Sequence, residues 1–339
     1  MKILVSCAEY SGDLLGAEII AALQSLMSVE CIGITGPKLR AVGVRSVEKM
    51  EHLNHMGFFS VLHNLPRILR VQRQLKNLIP SVQAVLCIDS SSFHLPLLRY
   101  AKQRGIASIG ISSPQIWAWR PGRVAQIEAS MDALFCLFSF EPSLYSPPFS
   151  VHWYGHPIVD RFTKRSTVDP NLFGLLPGSR AQEIDRHLPL FVETARAIRQ
   201  QLPQARFLCA TPQPVTTLPD YVTWQSGGSQ ALRECRAVLS KSGTCTLELA
   251  TQQIPMVVAH QIHPLTYLCV RPFLHVEHIA LPNILSKERV VPEFVQFLSP
   301  DTLAEALLDC GPQHVDLTAI GTTGASLRIA SQIQRMLHA

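Results

Sequence analysis

Lys2-Ile3-Leu4-Val5-Ser6-Cys7 runs directly into Ala8-Glu9-Tyr10-Ser11-Gly12-Asp13, a short apolar stretch that breaks into a polar turn. So short a run, flanked by polar residues, suits a strand buried on both faces better than a helix. It superficially matches a lipoprotein signal, but the apolar part is too short and Glu9 follows at once, so it is read as a first β-strand. Apolar residues then recur at helical spacing over 14–26. Outward from this unit the same alternation returns, with strands at 30–34, 84–88, 107–111, 133–136 and 152–154 and helices at 65–79, 93–104 and 120–131. Periodicity fades over 158–170, a polar and charged stretch that reads as an interdomain linker. A second alternating series follows, with strands at 173–176, 206–210, 237–239 and 255–258 and helices at 188–201, 244–252 and 300–308. The reading is an α/β chain of two successive Rossmann-like, doubly wound domains, 1–160 and 161–320, with a last helix in 321–339 that packs back on an amino-terminal domain, its own or a partner's. Ligands of such sheets bind beyond the carboxyl ends of the strands, which predicts a cleft between the two halves.

The bulk composition agrees. The chain has 339 residues, 47% of them hydrophobic and 16% charged, a balance that excludes a largely disordered chain. A net charge of +5 favours anionic partners only mildly and does not imply nucleic acid. No stretch approaches the roughly 18 uninterrupted apolar residues of a membrane-spanning helix. The nine Cys are scattered singly, as expected of buried thiols in a reducing cytoplasm.

The residues that could carry chemistry stand where strands end. Glu9 is at the mouth of the first strand, while Ser11 and Asp13 fit a cap of the following helix as well as a ligand contact, and Gly12 permits a tight backbone. Asp89 directly follows the strand at 84–88 and is either an N-cap or a carboxylate facing the cleft. A hydroxyl nucleophile needs a general base, and partial burial raises a carboxyl's pKa towards useful values. Trp117 and Trp119, followed by Arg120 and Arg123, suit a wall of the cleft or an aromatic core. In the second half, Gly178-Ser179-Arg180 after one strand and Ser242-Gly243-Thr244 at a helix start both resemble anion cradles, with Arg180 able to grip a diphosphate bidentately. Glu248, one turn beyond Thr244, is placed to accept from ribose hydroxyls or to sit at the surface, and Asn283 in Leu281-Pro282-Asn283 reads a base or stabilises its turn. There is no Gly-x-Gly-x-x-Gly fingerprint, which argues against a dehydrogenase.

Taken together and in order, Glu9 with Ser11-Gly12-Asp13, 33–37, Ile88-Asp89, 113–120, Gly155-His156-Pro157, 176–180 with Glu183, Ser242-Gly243-Thr244 with Glu248, and Leu281-Pro282-Asn283 resemble the lipid-A-disaccharide synthase family. The resemblance spans nearly the whole chain. It implies a GT-B fold and an inverting transfer from UDP-2,3-diacylglucosamine to 2,3-diacylglucosamine 1-phosphate (lipid X), with a β(1→6) linkage and release of UDP. It also implies no cofactor and no metal, and the sequence holds no Asp-x-Asp to bind a cation against the diphosphate. By this resemblance Asp89 is the general base and Glu9 a catalytic-cleft residue. Gly178, Ser179, Arg180, Ser242, Gly243, Thr244, Glu248 and Asn283 form the UDP-sugar site, and Ser11, Gly12, Asp13, Trp117 and Arg120 the acceptor side. Departures from the family pattern are Ser92, His94 and Lys241, and a chain shorter than is typical.

Both substrates are acylated, so a greasy approach is expected. Phe58, Phe59, Leu62, Leu65 and Leu69 beside Arg67, Arg70, Arg73 and Lys76 compose a basic amphipathic helix suited to the cytoplasmic face of an anionic inner membrane, or an ordinary core-facing helix with a solvated edge. The oligomeric state is left open, a homodimer included. Alternatives to the implied reaction are another UDP-sugar enzyme of the same fold and a non-catalytic homologue that binds nucleotide sugar or lipid.

Overall fold

The computed structural model describes residues 1–53, 60–89, 91–119, 121–161, 165, 167–262, 267 and 277–338, without the side chains at 60–64, 91, 119 and 121. The chain divides into two units, Met1–Asp160 with Thr318–Ala339, and Arg161–Leu317.

The first unit is built on seven parallel strands: β1 (Lys2–Cys7), β2 (Glu30–Thr35), β3 (Arg45–Lys49), β4 (Ala84–Ile88), β5 (Ala107–Ile111), β6 (Ala133–Cys136) and β7 (Ser150–Trp153). Their spatial order is β3-β2-β1-β4-β5-β6-β7, so the winding reverses between β1 and β4, where Ser6 pairs with Cys87 and Cys7 with Ile88. That reversal is the topological switch point of the sheet, and a crevice forms beyond the carboxyl ends of its two strands. The central strands are legible because both faces are covered: Ile3, Leu4, Val5, Val85, Leu86 and Ile88 are all fully buried. Helices α1 (Tyr10–Leu26), α2 (Pro37–Ala41), α3 (Ser60–Leu78), α4 (Ser91–Lys102), α5 (Ile116–Trp119), α6 (Val124–Glu128) and α7 (Ile158–Arg161) make the connections. Of the continuous helix expected over 120–131 only the short α6 is present, and a 3₁₀ turn at Pro121–Arg123 separates it from α5, which ends before that range. Pro121 is the physical reason, since it can start a turn but not continue a helix.

The second unit repeats the plan with β8 (Asp169–Leu176), β9 (Arg206–Thr211), β10 (Val222–Ser226), β11 (Cys235–Ser240), β12 (Met256–His260) and β13 (Glu293–Val295) in the order β10-β9-β8-β11-β12-β13. Its switch point lies between β8 and β11. Helices α8 (Ala181–Gln201), α9 (Thr244–Thr251), α10 (Leu281–Ser286) and α11 (Pro300–Leu308) flank it, with one apolar cluster on each face of the sheet. The stretch 158–170, expected as linker throughout, holds α7 at its start, and β8 already begins at Asp169.

The last helix, α12 (Ala325–His338), belongs to the first unit and lies against α1. Ile329, Ala330 and Ile333 are fully buried in that unit's core, and the Gln334 amide donates to the Leu26 carbonyl at 3.0 Å. The Gly155-His156-Pro157 turn receives the returning chain, with the His156 N–H donating to the Ile320 carbonyl at 2.7 Å. Eight described cysteines are free thiols, and all but Cys245 are buried.

Candidate active site

At the first switch point, Asp89 leaves β4 with a left-handed backbone (φ 58°), a conformation that Asp tolerates better than most residues. Two contacts hold its peptide there. The Asp89 N–H donates to the Ile111 carbonyl at 3.0 Å, and the Asp89 carbonyl accepts the Nδ1–H of His94 at 2.6 Å. The His94 ring is buried and its Nε2 accepts the Ser6 hydroxyl proton at 2.9 Å. Burial holds its pKa down at about 4 against the favourable bond to Asp89, so the ring is neutral at pH 7 with one nitrogen a donor and the other an acceptor. His94 therefore ties β1, β4 and α4 together beneath Asp89. Sequence reasoning noted His94 only as a departure from a family pattern.

Glu9 takes the N-cap position of α1 in extended backbone, without a side-chain capping hydrogen bond, and its carbonyl accepts from the Asp13 N–H at 2.8 Å and the Cys7 thiol at 3.0 Å. Gly12 is where the two loops meet. A Cβ there would sit 3.2 Å from Cys7 Sγ and 3.4 Å from Asp89 Cβ, so glycine allows the start of α1 to close on Asp89. Ser11 lies half-buried on the same turn. Asp13 behaves otherwise than the local cap suggested by its position. Its buried carboxylate accepts the N–H groups of Gly36 (2.9 Å), Lys38 (2.8 Å) and Leu39 (3.1 Å), capping α2 and not its own helix. Three charge-assisted bonds commit Asp13 to the fold.

Trp117 is half-buried and edge-on to Phe140, with ring centroids 5.7 Å apart. Beside it is a residue the sequence reading missed, Glu141. It is almost fully buried, and Oε2 accepts the Leu137 and Phe138 amides at 3.0 and 3.1 Å. Burial raises its pKa to about 7, against the pull of those two amides and of the nearby Trp117 indole, whose N–H does not complete a hydrogen bond. Phe58, Phe59 and Arg120 lie outside the described residues, as does the side chain of Leu62. Leu65 and Leu69, one turn apart on α3, are 43% and 53% exposed, while Val71 and Leu75 face the core. No helix among the described residues is long and apolar enough to cross a membrane.

At the second switch point, the loops after β8 and β11 are joined by the Lys241 N–H, which donates to the Leu176 carbonyl at 2.9 Å. Gly178 has φ 131°, and a Cβ there would lie 2.6 Å from Glu183 Cβ, so only glycine fits without displacement. The amides of Ser179 and Arg180, expected as an anion cradle, instead donate to Glu183 Oε2 at 3.2 and 3.4 Å in a capping box at the start of α8. Those two amides are therefore taken up within the loop itself, and the Arg180 guanidinium lies 3.7 Å from the same carboxylate. The start of α9 differs: Gly243, at φ 153°, is its N-cap, and no side chain caps it. The first N–H groups of a helix have no intrahelical acceptor and carry the positive end of its dipole. Ser242 Oγ donates to the Ile279 carbonyl at 2.8 Å, fixing the turn.

Glu248 is buried in α9. Its Oε2 accepts from the Ser229 hydroxyl at 2.9 Å and its Oε1 lies 3.7 Å from Arg161. Burial raises its pKa, although both neighbours favour the charged form. Asn283 is fully buried with both amide ends on the backbone of one residue, Nδ2 donating to the Val291 carbonyl at 2.9 Å and Oδ1 accepting the Val291 N–H at 2.8 Å. Of the two readings of Asn283, this geometry is the turn-stabilising one.

A family model for lipid-A-disaccharide synthetase matches residues 3–309. A lipid-A-disaccharide synthase of Neisseria gonorrhoeae is 37% identical over 91% of this chain and 86% of its own. Among solved structures, a UDP-GlcNAc 2-epimerase of Methanocaldococcus jannaschii superposes with a TM-score of 0.66 at 12% identity, covering 99% of this chain and all of that one. MurG of Acinetobacter baumannii gives 0.53 at 14% identity, with 99% of each chain covered. At such identities the structures establish the fold alone: two Rossmann-like domains of the GT-B class.

Proposed function

Because the chain belongs to the lipid-A-disaccharide synthetase family, we propose that its two sheets divide one glycosyl transfer, the first unit activating the acceptor and the second binding the leaving group. The protein is a hexosyltransferase of lipid A disaccharide synthesis. In the proposed reaction a hydroxyl oxygen of 2,3-diacylglucosamine 1-phosphate attacks the anomeric carbon of UDP-2,3-diacylglucosamine. The new glycosidic bond forms as the bond to the diphosphate breaks, the electron pair departs with UDP, and Asp89 takes the hydroxyl proton. The observation that supports this role best is the position of Asp89, pinned in a left-handed backbone at the switch point with Gly12 against it. Glu9, Ser11 and Trp117 are the proposed acceptor contacts. Arg180 and the start of α9 at 242–244 would take up the diphosphate charge, and Glu248 the ribose hydroxyls.

Leu65 and Leu69, with Phe58, Phe59 and Leu62, are the proposed apolar contact with the cytoplasmic surface of the inner membrane, supported by the outward pair on α3 and its neighbouring arginines.

The test is incubation with the two acylated sugars followed by mass analysis of the product. Asp89→Asn should lower turnover at least about a hundredfold, the range of a lost general base, while UDP binding persists. Undiminished turnover would remove Asp89 from the mechanism, and no disaccharide from the unmodified protein would refute catalysis.

A further inference from the structure

Glu141 opens the 3₁₀ turn Glu141–Leu144 that follows β6, and Trp117 sits on α5 in the loop that follows β5. The two loops leave neighbouring strands and are joined by a buried bond between the Ser113 and Tyr145 hydroxyls at 2.8 Å. Glu141 is only 2% exposed, and its Oε2 accepts the amides of both Leu137 and Phe138, which fills the lone pairs of that oxygen. Oε1 is left, and the Trp117 indole N–H lies near enough to favour the charged carboxylate. That N–H is itself buried and has no hydrogen-bond partner among the described residues. Phe140 packs edge-on to the Trp117 ring and stacks on Phe138, so aromatic contacts hold the ring while its polar edge is not held.

We propose that Glu141 is a positioning residue for the acceptor wall: when ionised it takes up the Trp117 indole N–H through Oε1 and fixes the ring, and when neutral it releases it. This inference rests on the reading that Trp117 contacts the acceptor. A buried donor without an acceptor is costly, and a carboxylate is the stronger kind of acceptor. With Oε2 occupied by two amides, a proton on the acid must sit on Oε1, where it turns a donor towards a second donor. Burial keeps this exchange near neutrality, since it raises the Glu141 pKa to about 7. Among the described residues the other titratable groups around the carboxyl are the Cys136 thiol and the Tyr145 hydroxyl, both pushed up by burial and so neutral near pH 7. His156 stands beyond the Phe138 ring, with centroids 6.0 Å apart.

The experiment has two readouts. The first needs no substrate: the indole N–H resonances of the protein are followed by nuclear magnetic resonance from pH 5.5 to pH 8.5, that of Trp117 being identified by its loss in Trp117→Phe. It should move downfield with a midpoint at about pH 7 in the parent and stay still in Glu141→Gln, whose amide turns a donor to the indole at every pH. The second is the KM for 2,3-diacylglucosamine 1-phosphate, taken as the ratio of Glu141→Gln to parent, so that titration of the acceptor's own phosphate cancels. This ratio should be about tenfold at pH 8, the scale of one lost charged contact, and within about twofold at pH 6, with kcat changed less than KM. On a Trp117→Phe background, which keeps a ring but no N–H, the same ratio should stay within about twofold at both pH values. A parental Trp117 resonance that does not titrate between pH 6 and pH 8 overturns the proposal and requires no folded Glu141 variant. So does a KM ratio independent of pH, which would reduce Glu141 to a structural anchor of its turn. Should the resonance titrate as expected while Trp117→Ala keeps the parental acceptor KM, the placing of Trp117 at the acceptor fails, not its relation to Glu141.

Discussion

At Asp89 a left-handed backbone costs on the order of 1–2 kcal/mol, and the local bonds must repay it. His94 supplies one of them, its Nδ1–H to the Asp89 carbonyl, while its other nitrogen reaches Ser6 on β1. His94→Ala should therefore lower kcat about tenfold, as small misplacements of a reacting group do, and leave KM for the UDP-sugar unchanged. His94→Asn can still offer an amide N–H to that carbonyl though not span to Ser6, and should keep most of the rate. Steady-state kinetics on both variants checks the pair, and equal losses would mean that the ring acts by packing alone. The same histidine sets a pH dependence. Its folded pKa of about 4 is below the ordinary value of 6.5, so between these limits the unfolded chain binds a proton that the folded one refuses. Stability is then lost as pH falls, by about 2 kcal/mol between pH 7 and pH 5 for this ring. Urea unfolding at the two pH values should show that loss, and His94→Asn should lose less. Glu141, raised to about 7, works in the opposite sense: its neutral form is favoured in the fold, so its contribution declines as pH rises from about 4.5 to 7. Sequence could mark Asp89 as the residue after a buried strand. It could not show which polar side chains the fold itself consumes, because the partners are remote in the chain: Asp13 meets Gly36, Glu183 meets Lys241, and Ser229 meets Glu248.

Helix α3 carries two loyalties. Val71 and Leu75 bury against the first sheet and the Gln72 amide donates to the Phe93 carbonyl at 2.9 Å, whereas Leu65 and Leu69 face outward beside exposed Arg70 and Arg73. An apolar pair with adjacent cations suits an anionic bilayer surface. Replacing both leucines with serine removes apolar area that a membrane would cover, worth about 2 kcal/mol or more in transfer, so sedimentation with anionic vesicles should show binding weakened at least about tenfold. The melting temperature should move little, because neither side chain is in the core. Unchanged vesicle binding would assign the pair to ordinary surface. The same distinction between covered and uncovered faces explains which elements can be read from sequence. Strands β1, β4 and β5 announce themselves as apolar runs, since a parallel sheet covered by helices buries both faces. Edge strands β3 (Arg-Ser-Val-Glu-Lys), β10 (Val-Thr-Trp-Gln-Ser) and β13 (Glu-Phe-Val) are short and half-exposed, so no apolar run marks them in the sequence. Helix α1 starts at Tyr10, not near Leu14, because its first turn, with Gly12 inside it, presents no apolar period.

On the scale of the whole chain, the first unit is closed by residues that come after the second. Ile329, Ala330 and Ile333 on α12 are fully buried in the first unit's core, and Arg328 donates to the Tyr154 carbonyl at 3.1 Å through Nε and 3.0 Å through Nη2. Burying two isoleucines and an alanine contributes about 5 kcal/mol, which is comparable with the entire net stability of an ordinary domain. A chain ending before Ala325 should therefore lose cooperative folding of the first unit, although every first-sheet strand is still present. The second unit has its own apolar clusters on both faces of its sheet, none of which includes α12, and should keep its structure. Two-unit proteins need not unfold in one step, so scanning calorimetry can read the units separately. The full-length protein should show unfolding of both units, with UDP raising only the transition of the second, by a free energy that grows as the logarithm of ligand concentration over its Kd. The truncated chain should retain that UDP-sensitive transition, lose the other, and make no disaccharide. If truncation abolished the UDP effect as well, nucleotide binding would depend on the first unit, and the division of labour between acceptor activation and leaving-group binding would have to be redrawn.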